Sequence, residues 1–147
     1  MHMMNDVKIR NAEPSDAEII YRFICKLEGE NPTREEFDDI FTSNLKDCNY
    51  HYYLAEKGGQ PVGFIGMHIQ NVLHHTSKIA EIIEMFVLPE YRGIGIGEML
   101  YWHTKDIAQE NGCKFFEVSC NIVRERSLNF FERMGFEKTH YKFTERL

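Results

Sequence analysis

One stretch near the middle of the chain carries most of the residues able to do chemistry. Glu81 and Glu84 stand on a run rich in β-formers, Ile79-Ala80-Glu81-Ile82-Ile83-Glu84-Met85-Phe86-Val87-Leu88, which stops at Pro89. Arg92 follows, then Gly93, Gly95 and Gly97 at alternate positions around Ile94 and Ile96, and then a helical pattern. That order reads as strand, tight turn and helix N-terminus. A helix start leaves backbone N–H groups unpaired at the positive end of the dipole, and glycine lets the backbone close on a phosphate. A carboxylate in a partly apolar cleft has its pKa raised toward neutrality and can serve as a general base. In a regular strand Glu81 and Glu84 point to opposite faces, but a bulge between them would bring both into one cleft. The alternative for each is a solvated charge on the strand face.

The spacing excludes two familiar phosphate motifs. Leu100 breaks G-x-G-x-x-G, and no Gly-Lys-Ser/Thr ending makes a P-loop. His74 and His75 are adjacent in a turn region, and adjacent histidines on a strand do not chelate one ion together. Cys25, Cys48, Cys113 and Cys120 form no Cys-x-x-Cys pair and no zinc spacing, which fits reduced thiols in a cytoplasmic protein. A net charge of -6 argues against nucleic-acid binding. No apolar run approaches membrane-span length, and no secretory leader precedes the first strand.

The elements that would position these residues follow from periodicity. Val7 to Asn11 alternates as a short strand. Ser15 with Glu18, and Thr33 with Glu36, read as capping boxes. The first helix then runs to about Glu28, and the second carries Phe37, Ile40, Phe41 and Leu45 as its apolar stripe. Tyr50 to Lys57 and Val62 to Val72 are strands joined at Gly58-Gly59, with Gly63 and Gly66 hinting at a bend or bulge. Ile79 to Leu88 is the next strand, and a third helix runs from about Gly95 to Asn111 with Gly112 as its stop. Phe115 to Cys120 is a strand, Glu125 to Met134 a helix ended by Gly135, and Phe136 to Phe143 a last strand region. The predicted order is β-α-α-β-β-β-α-β-α-β, one mixed α/β domain over residues 5–147. Met1-His2-Met3-Met4 is set aside as a tag remnant.

Arg92-x-x-Gly95-x-Gly97, straight after a strand ending Val-x-Pro-Glu-Tyr, resembles the acetyl-CoA pyrophosphate loop of the GNAT acetyltransferase superfamily. The ending Asn129-Phe130-Phe131-Glu132-Arg133-Met134-Gly135-Phe136 resembles that family's helix closing before a Gly-Phe pair. The resemblance implies a central mixed, mostly antiparallel sheet flanked by helices, with acetyl-CoA as cofactor. It implies a pyrophosphate over Gly93, Ile94, Gly95, Ile96 and Gly97 beside Arg92. It lays the pantetheine arm along Met85, Phe86 and Val87, with the Met85 N–H as donor to the thioester carbonyl. Glu81, eleven residues before Arg92, takes the position of the general base in the histone-acetylating branch. Arg124 stands where many members carry a cofactor-contacting asparagine. Phe131 stands where many carry a tyrosine general acid, and it has no proton to give, so Tyr141 and His140 become candidates.

Further segments narrow the resemblance. His68-Ile69-Gln70, Leu73-His74-His75, Ile79 to Glu84, His140-Tyr141-Lys142-Phe143-Thr144, Ile24 to Leu27 and Ser43 to Asp47 are similar to the aminoalkylphosphonate N-acetyltransferases. That branch implies a small primary amine bearing a phosphonate, and a divalent metal. His75 with Glu81 is then the candidate metal pair, and Glu84, His74 and His140 are candidate substrate contacts. Two readings stay open beside it. One is an acetyltransferase for another amine, such as a polyamine, a drug or a protein N-terminus. The other is a silent acyl-CoA-binding regulator. A homodimer through the C-terminal strands is also implied.

Overall fold

The structure, a computed structural model, describes residues 6–147; the expectations for residues 1–5 lie outside the described residues. Five strands form one sheet in the order β1-β2-β3-β4-β5. They are β1 (Val7–Asn11), β2 (Tyr50–Lys57), β3 (Gln60–Val72), β4 (Ser77–Val87) and β5 (Phe115–Val118), with helices α1 (Ala17–Glu28), α2 (Arg34–Leu45), α3 (Ile96–Glu110) and α4 (Glu125–Arg133). The first four strands pair antiparallel and β5 joins β4 in parallel. This is the mixed, mostly antiparallel sheet flanked by helices that the sequence implied.

Both faces of the sheet are covered. Helices α1 and α2 lay Ile20, Phe23 and Phe41 against Leu54, Phe64 and Phe86. Helix α3 lays Ile96 and Leu100 against Tyr53, Ile65 and Ile82 on the opposite face. The β2–β3 hairpin turns through Gly58 and Gly59 with φ of 57° and 80°, the left-handed pair that a two-residue turn between twisted strands requires.

Three local expectations are corrected. Neither predicted capping box forms: Glu13 and Asp16 make the reciprocal box in a 3-10 turn over Pro14–Asp16, ahead of α1. Thr33 does occupy the N-cap of α2, but without a side-chain cap bond. The last predicted strand, from Phe136 to Phe143, is not formed, and residues 137–147 are exposed and carry no regular structure. A strand exists only when a neighbour satisfies its N–H and C=O groups, and no other strand pairs with this segment among the described residues.

Candidate functional site

The site is built on an irregularity in β4. Ile82 pairs with Met67 and Glu84 with Gly66, so Ile83 is an extra residue and the register shifts there. Side chains alternate along a strand, and one extra residue reverses the parity beyond it. Ala80 and Ile82 pack on the α3 face, which turns Glu81 to the α1–α2 face. Glu84 also lies on that face, lining a cavity with Ile20, Ile24 and Phe41. The bulge anticipated from sequence therefore places both glutamates on one side of the sheet.

Their surroundings differ. Glu81 lies in a row with Tyr50, His68 and Glu117 across four strands. Glu84 lies in the next row, with Tyr52 and Gly66. A Cβ on Gly66 would stand 2.6 Å from Glu84 Oε2 and 2.9 Å from Tyr52 Cε1, so the bare glycine is where the carboxyl rests. Tyr52 is fixed in turn, its hydroxyl accepting a hydrogen bond from Asn44 Nδ2 at 2.8 Å. Burial, then the nearby charge of Glu28, pushes the Glu84 carboxyl up to about 7. Burial also pushes the Tyr52 phenol up to about 12, so that hydroxyl stays protonated across the working range.

The raised carboxyl has a consequence for stability. Folded Glu84 holds its proton more tightly than the unfolded chain does, between its ordinary value of 4.5 and about 7. Its contribution to unfolding free energy therefore falls as pH rises through that window and levels off above it. Wild type is expected to lose up to about 3 kcal/mol relative to Glu84→Gln between pH 4.5 and 8. Denaturant melts of both proteins at several pH values check this, and parallel curves would contradict it.

The second half of the site lies beyond the bulge. The β5 ladder ends at Ile82 with Val118, while β4 continues to Val87. Among the described residues, the backbone of Met85, Phe86 and Val87 thus has an edge facing no strand on the β5 side. Arg92 closes this opening at its far end: Nε donates to Val87 O at 2.7 Å, and the guanidinium lies over the Phe86 ring. The loop then turns through Gly93 and Gly95, with φ of 79° and 95°, and Ile96 begins α3. A Cβ on Gly97 would meet Met85 Cε at 3.3 Å and Phe130 Cε2 at 3.4 Å. The helix start, β4 and α4 therefore meet closely at that glycine. Arg126 in α4 is a residue that sequence reasoning missed. Arg92 loses its proton more readily than an ordinary guanidinium, through burial first and then the charge of Arg126. Two arginines facing each other beside a helix start make an electropositive notch.

Gly95 at φ 95° caps α3 in the left-handed region, where an L side chain costs about 1 kcal/mol. Gly95→Ala is expected to lower stability by about that much and to raise the KM for acetyl-CoA several-fold, because the strained loop can no longer hold its N–H groups in place. Initial rates at varied cofactor and a thermal melt read the two effects separately.

The remaining candidates are scattered. Arg124 Nη2 donates to Leu27 O at 2.9 Å and lies 3.7 Å from Glu28, so it ties the start of α4 to the end of α1. Phe131 packs edge-on against Phe130 and Phe136, joining the α3-side core. His74 and His75 are tilted against each other, and His75 stacks on Phe115 with Nε2 3.7 Å from Glu117. Among the described residues no group of three or more His, Cys, Asp or Glu is arranged to hold a metal ion. His140 touches its neighbour Thr139, and Tyr141 is 91% exposed; neither is brought to the Glu84 cavity.

Known proteins can be set beside this geometry. Residues 17–136 match the Acetyltransferase (GNAT) family. The chain is 38% identical to the aminoalkylphosphonate N-acetyltransferase of Salmonella typhimurium, over 95% of this chain and 91% of that protein. Its fold superposes on a transcriptional regulator from Bacillus halodurans with a TM-score of 0.88 at 24% identity, covering 96% of this chain and 99% of that one. It superposes on the aminoglycoside N-acetyltransferase AAC(6')-Iy, solved in complex with CoA, with a TM-score of 0.86 at 19% identity over 96% and 94% of the two chains. The strand left open beyond a bulge, the glycine loop after it and the match along most of the sequence lead to one conclusion: this chain belongs to the GNAT family of acetyltransferases.

Proposed function

We propose that this chain transfers the acetyl group of acetyl-CoA to the primary amine of a small aminoalkylphosphonate, with Glu84 as the general base. The observation that carries the base is the half-buried Glu84, its carboxyl seated over Gly66 with its pKa pushed up to about 7. A base poised near the working pH is both unprotonated often enough and basic enough to accept a proton. The substrate class rests on the 38% identity to the Salmonella enzyme over nearly the whole of both chains.

The cofactor supplies an activated acetyl thioester. The open edge of Met85, Phe86 and Val87 pairs with its pantetheine arm, and the Met85 N–H donates to the thioester carbonyl oxygen, where charge develops. The N–H groups of Gly93 to Gly97, with Arg92 and Arg126, hold the phosphates. Glu84 takes the proton of the attacking ammonium, and Glu81, in the neighbouring row, keeps the approach to it negative. Arg124, beside Glu28, is a cation available to the phosphonate, and His68, His74 and His75 are candidate hydrogen-bonding contacts for it. Phe131 gives no proton, and none is taken from His140 or Tyr141, so the sulfur leaves without a proton from a side chain.

We also assign a homodimer to the C-terminal segment, in which Tyr141 and Phe143 are each 91% exposed. Light scattering of wild type should give a dimer and of Tyr141→Asp/Phe143→Asp a monomer; identical masses would remove the assignment. The four free cysteines, Cys25, Cys48, Cys113 and Cys120, support a cytoplasmic location.

The test is CoA thiol release with aminomethylphosphonate on wild type, Glu84→Gln and Glu81→Gln, with and without EDTA. Release lost in Glu84→Gln and largely kept in Glu81→Gln supports the assignment. Loss confined to Glu81→Gln moves the base to Glu81. Release abolished by EDTA and restored by a divalent metal would establish the metal implied by the family branch. Release with spermidine or an aminoglycoside but not with the phosphonate overturns the substrate class. Tight acetyl-CoA binding with no release to any amine favours the regulator.

A further inference from the structure

The cavity in front of Glu84 has a volume of about 250 Å³, just below the ~300–1,000 Å³ usual for pockets of drug-sized ligands. Its walls are Ile20, Ile24, Phe37, Ile40, Phe41 and Phe64. Among the described residues, the only charged groups lining it are Glu84 and Glu36, and no Lys, Arg or His lines it. The nearest basic residue on α2, Arg34, is engaged with Glu18 and Asp38. An anionic group pushed into this space would lose its water without finding a cation. An ammonium group would find a carboxylate at the inner end, and an apolar body would find aromatic and aliphatic walls.

We propose that the chain also acetylates primary amines whose body is a small apolar group, an alkylamine or arylalkylamine, bound with the body in this cavity and the nitrogen at Glu84. In the reaction the amine nitrogen forms a bond to the acetyl carbonyl carbon and the carbon–sulfur bond breaks. One proton of the ammonium passes to Glu84 before attack. The second N–H proton, lost as the amide forms, passes through water to the departing CoA sulfur, which leaves as the thiol. The inference rests on the reading of Glu84 as base, and it differs from that of the phosphonate substrate in where the acceptor's body lies. A phosphonate belongs outside this cavity, with Arg124 beside Glu28 as a cation for it, while an alkyl chain belongs between α1, α2 and the sheet.

The experiment is thiol release on wild type with the n-alkylamines from ethylamine to hexylamine, with 2-phenylethylamine, and with aminomethylphosphonate as reference. The kcat/KM is expected to rise about fourfold per added methylene until the cavity is filled. The second arm is Ile40→Lys, at a position 62% exposed, which sets a cation at the cavity mouth with little cost to folding. It should raise the ratio of kcat/KM for aminomethylphosphonate over 2-phenylethylamine tenfold or more. A flat alkylamine series, or an unchanged ratio in Ile40→Lys, removes the apolar cavity as the binding place. Release with aminomethylphosphonate and with no apolar amine overturns this inference and leaves the proposed function standing. Release with neither class overturns both.

Discussion

Glu84→Gln is expected to lower kcat/KM by about 10²–10⁴-fold at pH 7, the usual contribution of a positioned general base. Glutamine keeps the volume and the neighbours of the carboxylate, so the fold and the cofactor site should survive and the KM for acetyl-CoA should stay near that of wild type. The pH profile carries the sharper signature. With its carboxyl pushed up to about 7, wild type should show activity rising with pH through neutrality and flattening above it. The variant should lose that limb altogether. With Glu84 as the proposed base, Glu81→Gln should keep the limb and lose less than about tenfold in rate. A full pH–rate series on the three proteins decides this. An acid limb that persists in Glu84→Gln would show that another group is titrating.

Gly66→Ala should have the next largest effect, although the residue contacts the chemistry only through its neighbours. The added methyl would stand 2.6 Å from Glu84 Oε2 and 2.9 Å from Tyr52 Cε1, closer than such atoms approach. The carboxyl or the ring has to move. Tyr52 is held by Asn44 at 2.8 Å and packed against Phe41 and Phe64, so the carboxyl should give way. A displacement of about 1 Å at a reacting group costs on the order of 10²-fold. Moving the carboxyl toward solvent also lowers its pKa, so the acid limb should shift to lower pH as the rate falls. That paired change separates mispositioning from simple loss of stability. Full activity in Gly66→Ala with an unshifted limb would mean that the carboxyl does not rest there during turnover.

Much of this was legible in the chain. Alternation and helical periodicity located every helix and the first five strands to within a few residues, because each element buries one face. The glycines marked real stops: Gly29, Gly112 and Gly135 end helices with φ of 71°, 79° and 101°. The loop from Arg92 to Gly97 was legible because a strand that ends in a phosphate-binding turn needs small residues at fixed positions. The last strand was misread. The segment from Phe136 to Phe143 has strand-like residues, but a strand also needs a neighbour, and composition says nothing about whether one is present. The capping boxes failed similarly, since Glu13 and Asp16 satisfied the start of the first helix in a tighter turn.

The sequence by itself determined the family, the order of elements as far as the last helix and the loop beside Arg92, all of which depend on residues close together in the chain. Tertiary structure alone decided which of the two half-buried glutamates has its carboxyl seated over Gly66 with a raised pKa. The sequence offered a bulge between Glu81 and Glu84 as one option, and the fold puts the extra residue at Ile83, which turns Glu84 under α1 and α2. A pKa near 7 requires the cover of helices contributed by residues more than forty positions earlier. Arg126 likewise faces Arg92 only because α4 packs against the start of α3. Proton affinity and charge pairing depend on distances through space, and those distances exist only once the chain has folded.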